Sequence, residues 1–151
     1  EGKPAGLIYP TIHEEMYMRD RFKPGQHWYT IEGAFYFRVG TTHYLMYSGA
    51  NHTNPTYFVG YSVAHGPEDA DLRHLDWKKF PDDKTYAPLL SSNDKIEGLG
   101  HNSVIYDEGR HWIVYHARNI GDLEAYDVDT RSARIDEIVI DGDQLTVNVT
   151  T

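Results

Sequence analysis

Thr30-Ile31-Glu32-Gly33-Ala34-Phe35-Tyr36-Phe37 places a carboxylate at the head of an aromatic strand. The aromatic turn Gly25-Gln26-His27-Trp28-Tyr29 precedes it, and Gly98-Leu99-Gly100-His101-Asn102-Ser103-Val104 opens a second strand in a similar way. A carboxylate and a histidine that begin equivalent strands are placed to converge on one central site. Residues 34–38, 43–48 and 57–64 are short runs rich in aromatic or β-branched side chains, separated by turn residues, and read as strands. Gly40-Thr41-Thr42 is a tight hairpin link, and residues 49–55 are a longer polar one. Asp76-Trp77-Lys78-Lys79-Phe80 reads as a fourth, edge strand closed by Pro81-Asp82-Asp83. Residues 67–75 are the best helical candidate and allow one or two turns at most.

The pattern then recurs. Residues 101–106 and 111–117 read as strands joined by Asp107-Glu108-Gly109, and a loop over 118–130 follows. Residues 133–140 and 144–149 complete the set, linked by the hairpin turn Asp141-Gly142-Asp143. His43-Tyr44-Leu45-Met46-Tyr47-Ser48 aligns with His111-Trp112-Ile113-Val114-Tyr115-His116 at an offset of 68, and Glu32 aligns with His101 at 69. Four short antiparallel strands that repeat in this way mark a β-propeller blade, with a two-layer sandwich as the alternative. The expected division is one blade over 31–81, the next over 98–151, and the tail of a preceding blade over 1–30, with Leu7-Ile8-Tyr9 as a possible strand. Two blades do not close a ring, so a partner chain or self-association is expected to cover the open faces.

With 151 residues, 40% hydrophobic and 25% charged, the chain has the length and composition of one globular domain with a core. Its formal charge of -9, from 14 basic and 23 acidic residues, argues against nucleic acid and anionic lipid as partners. The absence of cysteine excludes disulfides, thiolate metal sites and a Cys nucleophile. No apolar run reaches membrane-spanning length and no signal-peptide pattern is present. Twelve Tyr and three Trp suit a sugar-facing cleft and a β-rich core equally. Asn51-His52-Thr53 and Asn148-Val149-Thr150 match the glycosylation triplet, a pattern common by chance.

The sequence resembles glycoside hydrolase family 43, the arabinanases, α-L-arabinofuranosidases and β-xylosidases built on a five-bladed β-propeller. The stretches that carry the resemblance are Trp28-Tyr29-Thr30-Ile31-Glu32-Gly33-Ala34, Tyr44-Leu45-Met46-Tyr47-Ser48-Gly49-Ala50, Tyr57-Phe58-Val59-Gly60-Tyr61-Ser62, Gly100-His101-Asn102-Ser103-Val104, Tyr115-His116-Ala117-Arg118 and Arg134-Ile135-Asp136. It runs from about Gly25 to the end of the chain, and it rests on order and spacing more than on any one motif. The resemblance implies that Glu32 is the general acid, with Ala34 where the family usually has Pro. It implies that His101 lies near the propeller axis, where a calcium or sodium ion is often held through water. It implies a substrate-contacting Arg in the last blade, with Arg131 the nearest match and Arg134 its rival. The family's general-base Asp and a second Asp that tunes the acid precede the region matched here, and this chain has no counterpart positions.

Inverting hydrolysis needs two carboxyl groups roughly 6.5–9.5 Å apart, one protonated and donating to the leaving oxygen, the other activating water. Burial of Glu32 among Trp28, Tyr29 and Phe35 would raise its pKa and suit it to donate, whereas a strand-end Glu in solvent would be structural. Trp28 can stack on a sugar or pack between blades, while Trp77 and Trp112 lie in strand patterns and read as core. Asn51, His52 and Asn54 sit on a loop of the kind that contacts substrate in propellers. His101 can contact an ion, polarise a substrate hydroxyl or pin its own loop. No His-Glu-x-x-His zinc spacing occurs, and the acidic loop of Asp122, Glu124, Asp127 and Asp129 lacks the Asp-x-Asp-x-Asp-Gly calcium pattern. Gly98-Leu99-Gly100 lacks the spacing of a phosphate loop, and Ser103 beside His101 does not make a triad. The expected function is inverting hydrolysis of arabinose- or xylose-containing glycans with water as nucleophile, no organic cofactor, and Glu32, His101, Arg131 and Trp28 at the site. The alternatives are a non-catalytic carbohydrate-binding or remnant propeller, and a related five-bladed enzyme acting on fructans or mannosides.

Overall fold

The structure is a computed structural model, and it describes residues 4–122 and 129–150. Its strands are β1 Met16–Met18, β2 Trp28–Tyr29, β3 Ile31–Val39, β4 Thr42–Gly49, β5 Phe58–His65, β6 Lys78–Lys79, β7 Ile96–Asp107, β8 Arg110–Asn119, β9 Ser132–Asp141 and β10 Gln144–Val147. β1 and β2 form a small antiparallel hairpin. β3 to β6 form one four-stranded antiparallel sheet and β7 to β10 a second, each a simple meander in chain order. The expected strand at Leu7-Ile8-Tyr9 is absent; the N-terminal pairing lies instead in β1 and β2. The helical candidate over 67–75 is a single 3-10 turn, Leu72–His74, whose N-terminal N–H of Arg73 donates to the Asp71 carboxylate.

The sheets meet face to face. From β4 and β5, Tyr44, Met46, Val59, Tyr61 and Val63 point at Leu99, Ile113, Tyr115, Ala117, Ile138 and Leu145 of the second sheet, forming the main core. These are alternate positions along each strand, as period-two patterning requires. The Tyr44 hydroxyl donates to the Gly142 carbonyl, and the Leu145 N–H donates to the Tyr61 hydroxyl at 3.0 Å, so these two phenols are paired across the sheets. Burial raises the Tyr61 phenol to about 12. The opposite face of the first sheet carries a second cluster of Tyr47, Ala50 and Phe58 with Ile8 and Ile31.

A buried ion pair joins the hairpin to the first sheet. Lys79 Nζ lies 2.6 Å from Glu15 Oε1, with the two side chains 4% and 0% exposed. Glu15 Oε2 accepts from the N–H groups of Thr11 and Ile12, and the Glu15 carbonyl accepts from Thr30 N–H. This anchor fixes the chain as it leaves β2 and enters β3.

Register corrects the internal alignment. Glu32 pairs with Ser48 and Gly100 with His116, so the offset of 68 that relates His43 to His111 also relates Glu32 to Gly100. His101 is therefore the counterpart of Gly33, and not of Glu32 at 69. Both positions adopt left-handed backbone, φ 61° at Gly33 and 52° at His101. Each sits in a bulge, where three residues of the inner strand span two of its partner.

Candidate active site

The two bulges lie against each other at the same end of β3 and β7. A Cβ on Gly33 would meet the His101 ring at 3.3 Å, so the histidine rests on the backbone beside Glu32. The His101 N–H donates to Ser48 Oγ at 2.7 Å, tying the second sheet to the residue paired with Glu32. Left-handed backbone at a non-glycine residue is uncommon, and here it is held by a hydrogen bond between sheets.

Glu32 is exposed, and its fixed contact is with Tyr57, whose hydroxyl donates to Oε1 at 2.8 Å. The expected enclosure by Trp28, Tyr29 and Phe35 is not found. The bulge turns Phe35 into the main core, while Trp28 and Tyr29 stand 38% and 39% exposed on the hairpin. Burial, reinforced by the Glu32 carboxylate, pushes the Tyr57 phenol far above its ordinary range. Tyr57 thus stays a neutral donor that holds one oxygen of Glu32 and leaves the other for a ligand.

Tyr57 is itself tightly seated. Its ring stacks on His116 at 5.8 Å with an 8° interplanar angle. Across from it is Gly100, where a Cβ would fall 1.9 Å from Tyr57 Cε1. Gly100→Ala is expected to displace Tyr57 and to cost about 1–3 kcal/mol of stability by overpacking. Urea unfolding measures the cost, and a tyrosine near-ultraviolet dichroism signal that changes with it reports the displaced ring.

His116 is also strongly perturbed. Burial, then Arg131, then His101 depress its imidazole from 6.5 to about 4, and the Arg131 guanidinium reaches its Nε2 at 3.5 Å. The imidazole is neutral above that value and accepts from Arg131. Below about pH 6.5 the unfolded chain takes up a proton that the folded site refuses. Stability therefore falls as the pH is lowered from 6.5 towards 4. We expect a loss on the order of 2 kcal/mol across that window and a flatter profile in His116→Gln, read by urea unfolding at each pH.

Arg131 faces the site, as its charge also acts on Tyr57. Arg134 does not come to it: its guanidinium donates to Asn119 Oδ1 at 2.8 Å on the neighbouring strand. Asp129 holds Arg131 Nε at 2.7 Å and lies 3.6 Å from Arg118, which is buried and also bonded to Glu97 at 2.7 Å. Arg118 donates to the Thr53 carbonyl as well, bracing the loop that brings His52 to the edge of the Tyr57 ring at 6.5 Å. Trp28 reaches this group only through intermediaries, 5.8 Å from Tyr17, which is 6.4 Å from His52. Of the acidic loop, Asp122 accepts from Asn119 N–H and Thr130, while Glu124 and Asp127 lie outside the described residues.

Glu32, Tyr57, Ser48, His101, His116 and Arg131 thus form one constellation: a carboxylate with a phenol donor, imidazoles and a guanidinium. It can transfer a proton and bind hydroxyl groups. Among the described residues no group of three His, Cys, Asp or Glu side chains is placed to hold a metal ion directly. No step is routed through an ion.

The sequence pattern described as "Glycosyl hydrolases family 43" matches residues 8–145. No curated protein matches. Among solved structures, a thermostable family-43 glycoside hydrolase is 31% identical, with a TM-score of 0.61, covering 80% of this chain and 36% of its own. An α-L-arabinofuranosidase from Lactobacillus brevis is 26% identical, with a TM-score of 0.71, covering 99% and 43%. An exo-1,5-α-L-arabinanase from a bovine ruminal metagenomic library shares the fold at 16% identity and a TM-score of 0.68, covering 100% and 46%. The chain spans less than half the length of each of these relatives.

Proposed function

The chain belongs to glycosyl hydrolase family 43, and we propose that it supplies the acid half of a catalytic centre that hydrolyses arabinose- or xylose-containing glycans with inversion. The fold is all-β, two adjacent blades of that family's five-bladed propeller. The observation that carries the reading is Glu32, held by Tyr57 at 2.8 Å beside His101 where the inner strands meet. Glu32 donates its proton to the leaving oxygen as the glycosidic bond breaks. Water attacks the opposite face and gives up a proton to a base. The base comes from a part of the propeller that lies outside these residues. Arg131, His101 and His52 hold sugar hydroxyls, and Trp28 extends the surface outward.

A second reading is favoured by one observation. Glu97 and Asp129, the carboxylates flanking this site on the second sheet, are both held in ion pairs with Arg118 and Arg131. With both carboxylates engaged by guanidinium groups, neither is free to take up a water, so the chain by itself would bind glycans without cleaving them. Incubation with nitrophenyl arabinofuranoside and xyloside separates the two readings, using the chain alone and mixed with any co-encoded N-terminal partner. Turnover that disappears in Glu32→Gln supports the hydrolase. Sugar binding without turnover in every mixture supports the binding protein.

A further inference from the structure

The hairpin of β1 and β2 carries a feature that proton transfer at Glu32 does not use. Rings continue outward from the site in single steps: Tyr57 to His52 at 6.5 Å, His52 to Tyr17 at 6.4 Å, Tyr17 to Trp28 at 5.8 Å and Trp28 to Phe22 at 6.0 Å. The last pair is stacked, and Phe22 is 72% exposed. Where the rings end, the local charge changes sign. Arg19, Arg21 and Lys23 occupy alternate positions at the hairpin tip, and all three are exposed. The Arg21 Cζ lies 3.9 Å from the Trp28 ring centre.

None of these three cations takes part in an ion pair among the described residues; nor do Lys84, Lys95 and Arg134, but those are scattered along the chain, whereas these three are clustered beside exposed rings. Asp20, between them, faces His27 and the Gly25 N–H instead. A chain of net charge -9 has acid enough to neutralise such a tip and does not do so. Positive charge left beside exposed rings is a site for an anionic group attached to something that stacks.

We propose that the hairpin tip is a distal subsite for a carboxylate-bearing glycan, a chain with uronic acid units or side groups. Successive sugars lie along Tyr17, Trp28 and Phe22, while Arg19, Arg21 and Lys23 take the carboxylate remote from the bond at Glu32. Guanidinium groups suit this role because their planar fork matches a carboxylate. Three cations on an otherwise acidic chain do not make the continuous basic track that a nucleic acid needs. The inference rests on the glycan reading above and adds the charge of the substrate to it.

Calorimetric titration of the chain with glucuronic-acid-substituted xylo-oligosaccharides, and with the same oligosaccharides after reduction of their carboxyl groups to alcohols, tests it. The acidic probe is expected to bind about three- to tenfold more tightly at low salt, as one or two exposed ion pairs allow. The preference should shrink as salt is added. It should vanish in the double variant Arg21→Gln, Lys23→Gln, and fall in Lys23→Glu, where Trp28 keeps its Arg21 neighbour. Equal binding of both probes overturns the subsite and leaves the glycan reading intact. Failure of both probes to bind overturns the two together. Tighter, variant-sensitive binding of a single-stranded oligonucleotide than of the acidic probe also overturns it, because the tip would then be a phosphate site.

Discussion

Glu32→Gln is expected to lower turnover by the assembled propeller about 10²–10⁴-fold, the usual contribution of a positioned general acid. The amide is close in shape and still accepts from the Tyr57 hydroxyl, so the site's geometry survives while the proton is lost. Sugar binding should change little, because Arg131 and the histidines remain. A variant that keeps full turnover would remove Glu32 from the chemistry. A variant that fails to fold would instead assign it a structural role, and the exposed carboxylate makes that outcome unexpected. Steady-state rates on nitrophenyl glycosides and an unfolding curve for the same preparation separate the cases.

Lys79→Met is expected to be the most destabilising of the changes considered, at about 3–5 kcal/mol. It strands the Glu15 carboxylate at 0% exposure without a compensating charge, held by the Thr11 and Ile12 N–H groups. The ammonium also lies 5.3 Å from the Tyr47 ring, so a packing contact is lost with the charge. Pairing Lys79→Met with Glu15→Gln should recover part of that cost, since the penalty of one change comes from the group the other removes. Urea unfolding of the two single variants and the double variant measures the coupling. Because Glu15 also holds Thr30, loss of the pair should release the hairpin that carries Trp28, visible as a shift in tryptophan fluorescence.

The blades were legible because their strands follow local rules. Alternating aromatic and β-branched residues between Gly, Asp and Pro turns define β3 to β5 and β7 to β10, and the repeat at an offset of 68 relates the two sheets. Glu32 and His101 stood out because glycine neighbours mark a strand that begins irregularly. Both strands carry the same bulge, so the offset of 68 runs unbroken through the site and relates Glu32 to Gly100; matching the two side chains that carry chemistry, Glu32 and His101, departs from it by one residue.

Tyr57 and His116 were missed for a different reason: inside a strand, either residue looks like ordinary core. The repeat held a clue, since His116 is the counterpart of Ser48, the partner of Glu32. Gly100 held another, a missing side chain opposite a ring. The enclosure expected for Glu32 failed because Phe35 follows the bulge inward while Trp28 belongs to the hairpin. Nothing local in Glu15 or Lys79 announces a pair 64 residues apart.

If Glu32 is the proton donor, its contribution depends on the leaving group, and that dependence tests the assignment most directly. Rates of the wild-type and Glu32→Gln propellers would be compared on an arabinofuranoside with an alkyl or sugar leaving group and on one with a dinitrophenolate. The dinitrophenolate departs without protonation, so the variant should retain most of its rate on that substrate and lose about 10²–10⁴-fold on the other. An equal loss on both substrates would contradict the assignment of Glu32 as the acid.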